Sequence, residues 1–316
     1  MSVRTRSLIV GVATYIPGLR RLTGRKTGGT VSARYCYAVW LRHLSMLHRS
    51  SLPTMFETMA ELGPGDSLGI GLAALLSGTQ RYLALDVVRY ADRTINFRIF
   101  EELIALFRDR APIPDETEFP LVRPQLPSYT FPANILTPAR LEIALQPKRL
   151  DVIGRTIDNP PTTPCSDAPL CYIAPWEPGM IGNGTVDLIL SQTVLEFPHD
   201  LPGIYAEMYR WLKPGGIMSH EIDFKSLGIT AEWNGHWSCS DALWRLAAGR
   251  RRHRVNRQPH STHMALLRNI GCRIACDERT VQPSAITHAQ LGPRFHHLTD
   301  EDLTTSSALI QAVKPN

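Results

Sequence analysis

The chain has 316 residues, with 34 Lys and Arg against 29 Asp and Glu, for a formal net charge of +5. A hydrophobic fraction of 43% excludes an intrinsically disordered chain and is enough for a sizeable core. The mild positive balance permits an anionic partner without requiring nucleic acid, and no run of about 18 apolar residues suggests a membrane span.

Residues 1–55 are basic and mixed and read as an N-terminal helical extension. The apolar run 7–13 behind Arg4 and Arg6 mimics a secretion signal, but Arg20 and Arg21 follow and no small-x-small cleavage site stands out. A cytoplasmic protein is therefore expected. Tyr35, Val39, Leu41 and Leu44 fall on one helix face, with Arg34, Arg42 and His43 elsewhere on it. Residues 58–62 read as a short buried strand that stops at Gly63-Pro64-Gly65. An apolar helix follows over 68–76, with Asp66 or Ser67 as its N-cap. A second strand covers 82–86 and an amphipathic helix 95–107.

Residues 110–165 break this rhythm. The chain has 24 prolines where average usage gives about 16, and 11 of them lie between 112 and 164. That spacing excludes long helices and central strands, so the segment reads as an insertion lying on the core, with some helix after Pro138. The alternation resumes with strands at 170–174 and 186–191, then a helix at 202–212 ended by Lys213-Pro214-Gly215-Gly216. A strand at 217–222, a polar Trp-rich stretch at 223–258, a helix at 260–270 and strands at 272–281 and 307–313 complete the chain. Strands alternating with helices predict an α/β fold with a mostly parallel sheet covered on both faces. The cysteines (Cys36, Cys165, Cys171, Cys239, Cys272 and Cys276) form no Cys-x-x-Cys pair and read as reduced thiols.

The strongest local signal runs from Glu61 to Gly69. A strand turns on Gly63 and Gly65 into a helix start, which lets backbone and free N–H groups approach a ligand. Gly69 fits the dinucleotide fingerprint one position late. Asp86 ends the next strand 23 positions after Gly63, where an acid can hold ribose hydroxyls. Glu61 sits in an otherwise apolar strand, and such a carboxylate needs a partner or a polar site.

Over residues 56–106 and 170–316 the sequence resembles the class I S-adenosylmethionine-dependent methyltransferases. Glu61, Gly63 and Gly65 match the family's acid-x-Gly-x-Gly turn, Asp86 its ribose acid, and residues 187–196 its fourth-strand motif. Trp211-Leu212-Lys213-Pro214-Gly215-Gly216 looks like the turn before strand five, and Ala312-Val313-Lys314-Pro315 like the closing antiparallel strand. Further motifs at 219–223, 232–237 and 255–257 resemble a bacterial branch associated with glycan or natural-product biosynthesis. The sequence departs at Phe197, where many relatives carry His, although His199 is near.

The resemblance implies a Rossmann-like doubly wound sheet of seven strands, the last antiparallel, in one domain at 56–316. It implies S-adenosylmethionine as cofactor, with contacts from Glu61, Gly63, Pro64, Gly65, Asp66, Asp86, Val87, Trp176, Ser191 and Gln192. The acceptor is expected to be a small molecule or glycan, anionic if Arg250-Arg251-Arg252-His253-Arg254 grips it, with oxygen as the accepting atom. Methyl transfer mainly needs alignment, and a hydroxyl acceptor gains from a base. His220, Asp223 and His236 are the candidate bases, and Trp233, Trp237 and Trp244 suit a lid at 224–258. Each also has a plain packing role to fill. Asn159-Pro160-Pro161-Thr162 lacks the aromatic of adenine methyltransferases, and His296-His297 lacks metal-ligand spacing. No metal and no nucleic-acid module is expected. A non-catalytic cofactor-fold protein and an NAD(P)-dependent oxidoreductase are the competing readings.

Overall fold

The computed structural model describes residues 3–15, 29–164, 167–251 and 254–316. Its strands are β1 Thr58–Leu62, β2 Arg81–Leu85, β3 Leu170–Ile173, β4 Val186–Gln192, β5 Leu212–Asp223, β6 Arg273–Val281 and β7 Thr305–Val313. Its α-helices are α1 Thr5–Ala13, α2 Ala33–Arg49, α3 Gly69–Leu76, α4 Arg93–Arg108, α5 Pro138–Ala144, α6 Pro147–Asp158, α7 Leu201–Trp211, α8 Asp241–Ala248, α9 His260–Asn269 and α10 Asp300–Thr304.

The strands form one sheet in the order β3-β2-β1-β4-β5-β7-β6. Pairing is parallel from β3 through β5, and β7 runs antiparallel to both β5 and β6. The doubly wound reading with an antiparallel last strand therefore holds. It departs from the parallel 3-2-1-4-5-6 order of a dinucleotide-binding sheet, because β7 lies antiparallel between β5 and β6. β1 is buried at every position, as a strand covered on both faces must be. α3 is buried all round as well, so it carries no polar stripe.

Pro147 sits in the first turn of α6, where its missing N–H costs nothing, so a twelve-residue helix forms in the Pro-rich segment. The expectation of no long helix there is corrected. α5 starts on Pro138 as expected. Arg140 donates to the Ser77 and Thr54 carbonyls and Arg149 to those of Leu75 and Thr79, which ties both helices to the amino-terminal edge of the sheet.

α2 also differs from expectation. Arg42 and His43 are fully buried beside Trp40 and Leu41, because the helix packs in the same core as α3, α4 and the sheet. Arg42 is affordable there: its guanidinium donates to the carbonyls of Pro114 and Pro124 and pairs with Glu116 at 3.0 Å. At the start of α3, Asn96 Oδ1 of α4 accepts from Leu68 N, and Ser67 Oγ accepts from Gly69 N.

The Lys-Pro-Gly-Gly turn is absorbed into β5, and Gly215 adopts φ +75°. Gly215 N donates to Lys314 O and Lys314 N to Gly216 O, which joins the turn to the end of β7. Lys213 adds ion pairs to Asp187 at 2.9 Å and Glu57 at 3.0 Å.

Candidate functional site

Parallel registry brings the carboxyl ends of three strands together. Leu62 of β1 faces Leu85 of β2 and Ser191 of β4. Gly63 N donates to Leu85 O, Asp86 N to Ile173 O and Trp176 N to Asp86 O, so the loops leaving β1, β2 and β3 are pinned side by side. They open onto a cavity of about 490 Å³, a size that takes a nucleoside-sized ligand. It lies outside the strand ends, where open α/β sheets bind ligands. A shallow groove of about 610 Å³ between α4 and α6 is larger but lies away from these ends.

Gly63, Gly65, Asp86, Val87, Trp176 and Gln192 of the expected cofactor set line the cavity. Gly63 and Gly65 adopt φ +66° and +77°, the left-handed region that favours glycine. A Cβ on Gly63 would stand 2.7 Å from Val194 Cγ2. Asp86 is nearly buried; its Oδ1 accepts from Val87 N at 2.7 Å, and burial raises its carboxyl above the ordinary value. Trp176 is held edge-on by Trp211, with ring centroids 5.4 Å apart.

Glu61, Pro64, Asp66 and Ser191 do not line the cavity among the described residues. Glu61 lies beneath the turn, fully buried, and accepts from Tyr82 Oη at 2.6 Å. Burial pushes its carboxyl up to about 8 against the lowering effect of that bond. Asp66 N donates to Thr30 Oγ1 at 3.0 Å, fastening the turn to the start of the α2 region. Ser191 Oγ bonds His220 Nδ1 at 2.8 Å behind the wall.

The Gln192 amide is held at both its oxygen and its nitrogen. His43 Nε2 lies 3.0 Å from its Oε1, and Gln192 Nε2 donates to Glu221 Oε2 at 3.3 Å. Since the amide oxygen only accepts, His43 donates to it from Nε2, and its Nδ1 lies 2.8 Å from Ser219 Oγ. Burial holds His43 down to about 4 and Glu221 up to about 8, so both are neutral near pH 7.

The three candidate bases are not brought to the cavity wall. His220 is fully buried and burial lowers it to about 3. The His236 ring lies tilted against Trp237, with centroids 4.5 Å apart, and is lowered to about 3 by the same cause. Asp223 forms an ion pair with Lys225 at 3.1 Å. Trp233, Trp237 and Trp244 also stand away from the lining, with Trp233 and Trp237 donating to the carbonyls of Pro283 and Arg257. Of the basic run, Arg251 donates to the carbonyls of Ala247 and Ser7, and Arg254 bonds His199 Nε2 at 2.6 Å. Arg252, His253 and Cys165 lie outside the described residues.

Sequence reasoning missed Thr30 and Tyr35, which reach the cavity from the N-terminal region. Tyr35 was legible only as an apolar helix position. Burial holds its phenol well above the ordinary range, so it is a hydroxyl donor at neutral pH. Thr193, Val194 and Phe197, just past β4, also line the wall.

Residues 177–219, which span β4, α7 and most of β5, match the family model described as "Methyltransferase domain". The chain thus carries a segment similar to a methyltransferase domain within a doubly wound sheet of seven strands, for which S-adenosylmethionine is the expected methyl donor. No curated protein matches the chain. Among solved structures, it is similar to an S-adenosylmethionine-dependent methyltransferase of Mesorhizobium loti. The two share 14% identity over 85% of this chain and 96% of that one, with a TM-score of 0.42. It is also similar to Phosphoethanolamine N-methyltransferase 2 of Haemonchus contortus, solved with S-adenosyl-L-methionine. There the identity is 13% over 90% of this chain and 58% of that one, with a TM-score of 0.44.

The residues present fit this cofactor. Gly63 and Gly65 line the cavity at positive φ, and Asp86 is a carboxylate just past the end of β2. No helix among the described residues is long and apolar enough to cross a membrane, and no cluster of described residues forms a metal site.

Proposed function

We propose that this domain methylates a small-molecule or glycan acceptor at an oxygen that is acidic enough to react without a strong base. The observation that carries the second half is the lining itself. Among the described residues it holds no His, Lys, Arg or Glu, and its one carboxylate is Asp86. Asp86 would hold the ribose diol, Gly63 and Gly65 would admit the methionine end, and Trp176 would flank the adenine. The cofactor supplies an electrophilic methyl on a positively charged sulfur. The chain then contributes alignment and a water-poor wall of Leu62, Leu85, Val194, Leu195 and Ile204. Tyr35 and Gln192 are two of the uncharged donors in the lining, alongside Thr30, Tyr90, Thr193 and Trp176. Gln192 is fixed by His43 and Glu221, so its amide does not have to reorganise during the reaction.

The test is turnover with S-adenosylmethionine across acidic phenols, carboxylates and simple alcohols, with release of S-adenosylhomocysteine as the readout. Methylation of phenols or carboxylates with a rate flat above the acceptor's own pKa supports the proposal. A preference for alcohols with a bell-shaped pH profile overturns it, because that needs a protein base.

A further inference from the structure

Charge is unevenly distributed along the chain. Nine Lys and Arg and no Asp or Glu precede Glu57, so the remainder is net acidic at −4. At the start of this acid-free region, α1 lies on α8 with one side exposed. Gly11 makes the contact possible, because a Cβ there would stand 2.1 Å from Leu246 O. The inner side adds Val3 and Leu8 to a small core with Trp244 and Ala247, and that core packs on Phe197 of the cavity wall.

The outer side is apolar where a free surface helix would be polar. Ile9 is 64% exposed, Val12 47% and Tyr15 41%, a stripe at three-residue spacing, and Leu246 of α8 adds 48% beside it. The stripe is framed by cations. Arg4 and Arg6 are exposed at one end. At the other, the Arg250 guanidinium lies 5.1 Å from the Tyr15 ring centre and Tyr15 Oη donates to Arg245 O. An exposed apolar stripe with an aromatic ring and an arginine rim is the pattern of a helix lying in a bilayer interface.

We propose that the outer face of α1 and α8 docks the protein onto an anionic membrane surface. The occupant follows from the charge: the rim is cationic, and α1 itself carries no acidic residue. Its nine residues are far too few to span a bilayer, so the contact is interfacial. Phe197 links this face to the cavity, so docking would bring the site near an acceptor borne on the membrane. That last step rests on the methyltransferase reading, whereas the docking itself does not.

The test is cosedimentation of the full chain with phosphatidylserine-rich vesicles and with pure phosphatidylcholine vesicles, at low and raised salt. Binding to the anionic vesicles that weakens with salt is expected. The double variant Ile9→Asp, Val12→Asp should bind them at least about tenfold more weakly, since it places two carboxylates on the inserting side. Both positions face solvent, so the variant should keep its thermal midpoint and its affinity for S-adenosylhomocysteine. The proposal is overturned if wild type binds both vesicles equally, or if the variant binds as wild type does. It is equally overturned if the face proves to join two copies of the chain, seen as a dimer that Ile9→Asp dissolves with no vesicle binding. Loss of cofactor binding alongside intact vesicle binding would refute the methyltransferase reading and leave the docking standing.

Discussion

Asp86 is where the cofactor assignment is most exposed to disproof. In the structure its Oδ1 is engaged by Val87 N at 2.7 Å, while the carboxylate stands at the cavity wall. Replacing Asp86 by Ala removes a charged acceptor for the two ribose hydroxyls. A hydrogen bond to a charged group contributes about 1.5–3 kcal/mol, so the loss of a shared diol contact should weaken S-adenosylhomocysteine by roughly 10- to 100-fold. Asp86→Asn keeps an oxygen for Val87 N and loses only the charge, so it should cost about 10-fold. Asp86 also accepts from the Val87, Val88 and Gly65 backbones, so Asp86→Ala should lower stability as well, whereas Asp86→Asn keeps an acceptor for them. Calorimetry reads the affinity, and thermal unfolding confirms that each variant is folded. An Asp86→Ala protein that is folded and binds within threefold of wild type would refute the ribose role and remove the basis for placing the cofactor here.

Three further outcomes are expected. Gly65→Val should abolish cofactor binding in a folded protein, because φ +77° is strained for a branched side chain at a position that lines the cavity; unchanged affinity would count against the site. Tyr82→Phe should lower stability by about 1–3 kcal/mol, because the buried Glu61 carboxyl loses its hydroxyl partner, and the loss should grow as pH rises through 8 and Glu61 ionises. A urea titration at two pH values checks this, and a loss independent of pH would contradict it. Stability should also peak at about pH 6. His43, His220, His236 and His263 are held by burial at about 4, 3, 3 and 3, so the unfolded chain gains protons that the folded one refuses as pH falls below 6.5. Glu61 and Glu221, held up to about 8, keep protons that the unfolded chain releases above 4.5, so their contribution is lost as pH rises from 4.5 to 8. Glu196 is raised by burial in the same way, so the four histidines outweigh three glutamates only below about pH 6, and the glutamates outweigh the histidines above it. Each net proton changes stability by about 1.4 kcal/mol per pH unit. Denaturation midpoints that climb steadily to pH 8 would contradict this balance.

Much of the sheet was legible because its strands are short apolar runs bounded by glycine and proline. Such runs have few alternative structures, and residues 58–62 and 186–191 were placed within a residue. α6 was missed because proline was read as a helix breaker, although at the first turn it breaks nothing. The buried side of α2 was also missed. Arg42 and His43 look like surface residues in any local pattern, and only carbonyls and side chains far along the chain, from Pro114, Pro124, Gln192 and Ser219, satisfy them.

The sequence by itself determined the turn at Gly63 and Gly65 and the acid at Asp86, because backbone freedom and strand-end position are local properties. Tertiary structure alone decided what surrounds them. It brought Thr30 and Tyr35 to the cavity, locked Gln192 between His43 and Glu221, and sealed His220 and His236 away from it. The reason is that access and protonation depend on packing between segments distant in sequence. A histidine's chemistry is set by whether water reaches it, and no local spacing records that.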